Sequence, residues 1–233
     1  MHKLSAVLIS YNEEKHIAKA LASLSFADEI VVVDNGSTDG TVEIAQSMGA
    51  KVIHHEWMGY GKQRQIAVSH ASYDWIVTID CDEQISPQLA TSMQKELENP
   101  RYFVYRIANL NKFFGKYIRR AGMYPDYHMR FFHKGHATYN DKAVHEALVT
   151  QEVVGTLEGD ILHDAYESIE QFIAKQNRYS TLNKRHNMVK AILNPYWTFF
   201  KIYFLRLGFL EGWRGFVIAK IYAQYTFWKY IKR

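Results

Sequence analysis

A chain of 233 residues, 48% hydrophobic and 22% charged, has apolar material for one generous domain, or for one domain with a C-terminal appendage, and is too rich in core-forming residues for disorder. Its net charge of +4 is too small to point to nucleic acid, and its single cysteine, Cys81, excludes an internal disulfide framework and a cysteine-based zinc cluster. The apolar run from Lys3 to Ile9 is short for a signal peptide and is followed by Asn12-Glu13-Glu14, and no uncharged stretch reaches the roughly 18–20 residues that span a bilayer, so the catalytic part is expected in the cytoplasm.

Strand-like and helix-like segments alternate over the first hundred residues. Leu4 to Ile9 reads as a buried strand, and Glu13 to Leu24 as an amphipathic helix with Ile17, Leu21 and Leu24 on one face. Glu29 to Val33 is a β-branched run ending at Asp34; the turn-forming Asn35-Gly36-Ser37-Thr38-Asp39-Gly40 follows, then a helix from Thr41 to Met48. Lys51 to His54 is a third strand, Lys62 to Ser69 a third helix and Trp75 to Ile79 a fourth strand ending at Asp80. Ser86 as N-cap and Pro87 at the first helical position open a helix running to about Glu98. Residues 103–162 read as short strands and polar turns, and the chain is helical from Ser168 onward, with Asn194-Pro195 the nearest thing to a linker. Repeated strand–helix units of this length predict an α/β fold with a doubly wound, mostly parallel sheet.

Ligands of open parallel sheets bind beyond the carboxyl ends of the strands. Three polar clusters fall at such ends: Ser10-Tyr11-Asn12-Glu13-Glu14, Asp34 to Asp39, and Asp80-Cys81-Asp82-Glu83. A lone acid there is most often a helix cap; three clusters on one rim read as a site. In an extended segment Asp80 and Asp82 point to one side and Cys81 to the other, and two hard oxygen donors suit Mg²⁺ or Mn²⁺, a Lewis acid for a leaving diphosphate. No Gly-x-Gly-x-x-Gly and no Gly-Lys-Ser/Thr loop is present, which argues against dinucleotide and P-loop chemistry.

Val7 to Glu14, Val32 to Thr41 and Ile79 to Asp82, in that order, resemble the family 2 glycosyltransferases of the GT-A fold over residues 1 to about 110. Val144-His145-Glu146, His163-Asp164-Ala165-Tyr166 and Gly208-Phe209-Leu210-Glu211-Gly212 extend the resemblance toward bacterial lipopolysaccharide inner-core glucosyltransferases. The resemblance implies an inverting transfer of a sugar, glucose on this likeness, from a UDP-sugar to a lipid-linked saccharide. It implies that Ser10, Tyr11, Asn12, Glu13 and Asp34 hold the nucleoside, that Lys62 and Arg64 lie beside the diphosphate, and that Asp82 is the main metal ligand, with Asp80 near the ribose or the metal. His163, after the strand-like Asp160-Ile161-Leu162, could complete the metal shell.

Inversion needs a carboxylate to take the acceptor proton. Glu146 matches the lipopolysaccharide-core variant of the motif, with Asp126 as second choice; the usual Glu-Asp pair is absent. Arg130 could cover diphosphate charge or pair with a structural carboxylate. The expected division is a catalytic domain over 1–165, with a nucleotide-sugar half 1–100 and an acceptor half 101–165, and a helical region over 166–233. Beyond Pro195 aromatics alternate with Lys201, Arg206, Arg214, Lys220, Lys229, Lys232 and Arg233 against the lone acid Glu211. That pattern forbids spanning and suits peripheral attachment to the anionic cytoplasmic face of the inner membrane, or else a helical pair packed on the catalytic domain or in a dimer. The competing functions are a polyprenyl-phosphate sugar transferase, which needs no base; a sugar nucleotidyltransferase, which should carry a Gly-rich basic loop after the first strand; and a non-catalytic nucleotide-binding or adaptor protein.

Overall fold

The structure, a computed structural model, describes residues 2–140, 147–166 and 168–233. The chain forms two compact units, Met1–Asn109 with Tyr127–His163, and Leu110–Asp126 with Asp164–Arg233. The second unit thus takes in residues 110–126 besides the helical C-terminal region.

The first unit opens with strands β1 (Leu4–Ser10), β2 (Glu29–Asp34), β3 (Lys51–His54) and β4 (Trp75–Thr78), separated by helices α1 (Ile17–Ser23), α2 (Thr41–Ser47) and α3 (Tyr60–Ser69). A short β5 (Glu83–Ile85) leads to α4 (Pro87–Glu98), where Ser86 Oγ accepts the Leu89 N–H at 3.3 Å, the expected cap. Then follow β6 (Val104–Phe113), β7 (Lys116–Tyr117), β8 (Asp126–His133), β9 (Thr138–Tyr139), β10 (Leu148–Val149) and β11 (Val154–Tyr166). The sheet order is β3-β2-β1-β4-β8-β6-β11-β5, with β7 on β6 and β9 paired with β10. β1, β2, β3 and β4 pair in parallel, whereas β4 with β8 and β5 with β11 are antiparallel. This is the expected α/β GT-A arrangement.

Period-2 alternation places the core on both faces of the sheet. Ala6, Leu8, Val32 and Val77 pack with α1, α2 and α4, while Val7, Val31, Val33 and Ile76 pack with Ala67 and Val68 of α3. Strands buried on both sides are the reason β1 and β2 read as unbroken apolar runs.

Two sequence expectations need correction here. The helix read from Glu13 begins at Ile17, because Glu13 and Glu14 donate their N–H groups to Thr41 Oγ1 (2.7 Å) and Asp39 Oδ2 (3.2 Å), and Asn12 takes a positive φ of 56°. Residues 103–162 hold long strands, β6 with ten residues and β11 with thirteen; polar residues within these strands masked their periodicity.

In the second unit, helices α5 (Ile169–Leu182) and α6 (Met188–Phe200) are followed by a π turn (Lys201–Leu205), a 3-10 turn (Gly208–Glu211) and helix α7 (Trp213–Ile231). α6 runs through Asn194-Pro195, which the sequence suggested as a boundary; its C-terminal half is tied to α7 by a 3.2 Å hydrogen bond between Thr198 and Thr226. Phe113, Ile118, Phe172, Ile202, Ile218 and Ile221 form this unit's core. Glu211, the lone acid of the tail, is buried, and its carboxylate accepts the N–H groups of Arg119 and Arg120 (3.1 Å each) and Lys116 Nζ (2.8 Å). Among the described residues no helix is long and apolar enough to cross a membrane.

Gly159 has φ +97°, and a Cβ there would lie 2.4 Å from the backbone nitrogen of Leu89. Gly159→Ala is expected to cost about 2–4 kcal/mol in urea unfolding, since both the backbone and α4 would have to move. Glu211→Gln is expected to cost about 1–3 kcal/mol in the same measurement, by loss of the charge that two N–H groups and Lys116 address.

Candidate active site

The carboxyl ends of β1, β2 and β4 open on a cleft of about 820 Å³ within the first unit. Its lining includes Ser10, Tyr11 and Glu13 after β1, Asn35 after β2, Arg64 on α3, and Asp80 and Asp82 after β4. Trp57 and Tyr60 also line it. Their rings meet edge to face at 4.7 Å, both are exposed, and Gly59 between them takes a φ of +95° that lets the chain turn into α3.

Asp80-Cys81-Asp82 is a turn rather than an extended segment: the Glu83 N–H donates to the Asp80 carbonyl at 3.0 Å. The expected alternation is therefore not seen: all three residues contribute to the cleft lining, and Cys81 is largely buried, its thiol donating to the Ile9 carbonyl at 3.4 Å. Burial, with acidic neighbours, pushes that thiol up.

Asp80 is gripped by two guanidinium groups, Arg64 at 2.5 Å on Oδ1 and Arg130 at 3.2 Å on Oδ2. Burial would raise its carboxyl, but Arg130 and Arg64 outweigh burial and hold it well below the usual range. Behind it, Glu83 is fully buried and accepts from Arg130 (3.1 Å), Asn109 Nδ2 (3.0 Å) and the Asp80 N–H (2.9 Å). For Glu83 burial wins, and its carboxyl is raised. Arg130 Nη1 is buried with no hydrogen-bond partner among the described residues, so one donor of this guanidinium is left unsatisfied while its charge is shared by Asp80 and Glu83. Glu83 lay in the acidic cluster, yet nothing in the sequence says that it is buried while its neighbours face solvent.

Asp82 meets His163 Nε2 at 3.2 Å. Burial alone would lower the imidazole, but hydrogen bonding and attraction to the Asp82 carboxylate raise it. Glu13 is raised by burial and then by Asp82. Asp82 and His163, 3.2 Å apart, are spaced as two donors to one ion, and these residues would hold Mg²⁺ or Mn²⁺, which would supply Lewis-acid chemistry there. Among the described residues no group of three or more His, Cys, Asp or Glu side chains forms a complete metal cage; Asp80, committed to two arginines, is better placed to hold charge than to ligate.

Asp34 is buried and used internally. Its Oδ1 accepts Ser10 Oγ (2.8 Å) and Ser37 Oγ (2.5 Å), and its Oδ2 accepts the N–H groups of Gly36 and Ser37 (2.9 Å each). A carboxylate has about four acceptor positions, and all are taken. Asn12 Oδ1 likewise accepts the Thr38 N–H at 2.8 Å. Lys62 is exposed on α3, outside the cleft lining. Asp126 lies in the second unit, at the start of β8, and its charge helps raise the Tyr222 phenol, which burial raises first. Glu146 lies outside the described residues. Nearby, Tyr139 donates or accepts a 2.9 Å hydrogen bond with Thr78 and its ring centroid is 6.0 Å from the Arg64 guanidinium; Thr138 and Tyr139 are also tied to Gln65 at 3.0 Å.

A family model described as "Glycosyl transferase family 2" matches residues 5–157. An uncharacterized glycosyltransferase of Rickettsia typhi is 33% identical over 257 residues, covering 100% of this chain and 87% of the relative. The lipopolysaccharide core biosynthesis glycosyltransferase LpsC of Rhizobium meliloti is 33% identical over 245 residues, covering 96% of this chain and 89% of the relative. Among solved structures, S. aureus TarS 1–349 matches with a TM-score of 0.51 at 18% identity, over 89% of this chain and 74% of that one, a likeness of fold.

The four bonds to Asp34 outweigh its burial and lower its carboxyl from the ordinary 3.8. A depressed folded value means stability present above the unfolded pKa and lost as pH falls through the folded one. Asp34→Asn is expected to cost about 1–3 kcal/mol at pH 7, and the gap to the parent, followed by urea unfolding, should close as pH falls below 3.8. A gap unchanged at low pH would mean that shape rather than charge holds the loop.

Proposed function

This chain belongs to glycosyl transferase family 2, and from that premise we propose that it transfers a sugar from a UDP-sugar, with inversion, to a lipid-linked saccharide of the lipopolysaccharide-core type. The observation that carries the reading is the cleft itself, where Asp82, which also meets His163, and an arginine-held Asp80 face one 820 Å³ space beyond the parallel strands. A nucleoside diphosphate brings negative charge that must be met, and a purely acidic cleft would repel it; Arg64 and Arg130 supply the opposite sign. The LpsC relative supports the acceptor class, and the glucosyltransferase resemblance of the motifs supports glucose as the sugar.

In this reading the base and ribose lie along Ser10, Tyr11, Glu13 and Asn35, in a loop whose shape Asp34 and Asn12 fix from behind. Trp57 and Tyr60 offer an aromatic wall to the donor. Asp82 and His163 would hold Mn²⁺ or Mg²⁺, which when bound supplies Lewis-acid stabilisation of the leaving diphosphate. Asp80 keeps Arg64 aimed into the cleft, and Arg130 raises the local positive potential. The acceptor hydroxyl attacks the anomeric carbon from the side opposite the diphosphate, a carboxylate takes its proton, and the bond to the diphosphate breaks. Glu146 is the proposed base, with Asp126 the alternative. The catalytic domain over 1–165 would work at the cytoplasmic face of the inner membrane, with residues 166–233 as its attachment.

The test is a donor screen with UDP-, GDP- and dTDP-sugars, with Mn²⁺ and with chelator. UDP-sugar turnover that chelator abolishes is expected, and Asp82→Ala should lower it about 100-fold or more while the fold persists; undiminished turnover would remove Asp82 from the metal site. Glu146→Gln should lower transfer about 10²–10⁴-fold, whereas an unimpaired variant, with Asp126→Asn equally active, would favour a phosphate acceptor, which needs no base.

A further inference from the structure

In the second unit α6 carries an apolar face that its own packing does not cover. Val189, Ile192, Leu193, Tyr196, Trp197 and Phe200 recur at i, i+3, i+4, i+7, i+8 and i+11, the spacing of one helical stripe. All six are exposed, Tyr196 by 76% and Trp197 by 58%. The opposite side is the buried one: Ala191 is enclosed, Thr198 bonds to Thr226 of α7, and the Arg185 and Asn187 N–H groups donate to the carbonyls of Lys229 and Tyr230 (2.8 and 2.9 Å). Beyond α6 the exposed series continues through Phe204, Leu205, Phe209, Leu210 and Trp213 to Phe216. A groove of about 540 Å³ between α6 and α7 shares Ile192, Tyr196 and Phe216 with this face and so opens within it. Contiguous exposure on this scale marks an interaction surface.

Charge identifies the occupant. Residues 171–233 hold twelve Lys and Arg and a single acid, Glu211. That acid is buried on Lys116, Arg119 and Arg120, while Lys184, Arg185, Lys190, Lys201, Arg206 and Lys220 are exposed. A second copy of the chain would bring cations against cations with no carboxylate to answer them. An anionic bilayer supplies both an apolar interior for the aromatic stripe and phosphate charge for the flanking lysines and arginines. Cations punctuate the segment every few residues, and no helix of the described residues is long and apolar enough to cross, so the segment lies in the interface instead of spanning it.

We propose that the outward face of α6, continued through the π and 3-10 turns into the start of α7, is a docking surface for an anionic phospholipid bilayer, with α6 lying parallel to the membrane plane and its aromatic stripe at headgroup depth. The inference deepens the reading of a lipid-linked acceptor, but it is tested without any transfer reaction. Full-length protein is mixed with sucrose-loaded vesicles of phosphatidylcholine alone or with phosphatidylglycerol, then pelleted. Preference for the anionic vesicles by about tenfold or more is expected, weakening with salt. The surface variant Trp197→Gln/Phe200→Gln should lose about tenfold or more of that binding, and Lys190→Glu/Lys201→Glu should lose the anionic preference. The circular dichroism spectrum and donor hydrolysis in detergent should stay at parent levels in both. Equal binding to the two vesicle types, or binding unmoved by Trp197→Gln/Phe200→Gln, overturns the proposal. So does a dimer in analytical ultracentrifugation that this variant dissolves in a protein indifferent to vesicles, which would assign the face to a second copy. Loss of transfer with vesicle binding intact counts against the catalytic reading alone.

Discussion

Two guanidinium groups converging on Asp80 allow a string of acids to persist at the end of β4. Asp80, Asp82 and Glu83 occupy four consecutive positions with Cys81, and Glu13 approaches from β1; with like charges so close in a partly dry cleft, mutual repulsion would open the turn. Arg64 from α3 and Arg130 from β8 answer that charge from opposite sides, and Glu83 is the buried anchor on which Arg130 and the turn backbone both close. The sheet order matters here. β8 lies beside β4 because its antiparallel pairing sets Phe131 opposite Val77, which brings Arg130 to the height of Asp80. The acidic turn after β4 thus depends on an arginine carried by the neighbouring strand β8.

The acids divide into those that hold the backbone and those that remain toward the cleft. Asp34 and Asp39 accept N–H and hydroxyl groups from turn residues, Glu83 secures the Asp80 turn, and Glu211 secures the Lys116–Arg120 segment in the second unit. Asp82 and Glu13 stay in the cleft lining, with His163 against Asp82. This division explains how a chain can carry polar clusters at three strand ends while concentrating its metal-type donors in one corner. Loops at strand ends need internal ties to hold one shape, and short acidic side chains next to Gly36 and Ser37 provide them with no long side chain to order.

The two units show different surface chemistry. In the first, the buried apolar residues lie in two layers around the sheet. In the second, a small aromatic core under α5 and α7 supports a helix whose outer stripe is as apolar as its inner one.

The family, the α/β alternation and the acidic corner were legible in the sequence because each rests on local chemistry: β-branched runs, Ser-Pro capping at α4, and Asp-x-Asp after a buried strand. The aromatic and basic character beyond Pro195 was legible for the same reason, but the stripe of α6 was not, since that helix runs through the Pro195 that suggested a boundary. Tertiary structure alone decided what each acid does. Asp34 and Asp82 look equivalent as carboxylates after strands, yet one is enclosed by Ser10, Gly36 and Ser37 and the other faces the cleft. Residues 103–162 looked irregular because Asn109, Asn111 and Arg130 interrupt the apolar pattern; the fold buries them where partners tens of residues away satisfy or oppose their charge. Local pattern specifies which elements form, since it depends on neighbours in sequence. Which polar groups are buried, paired or left to act depends on neighbours in space.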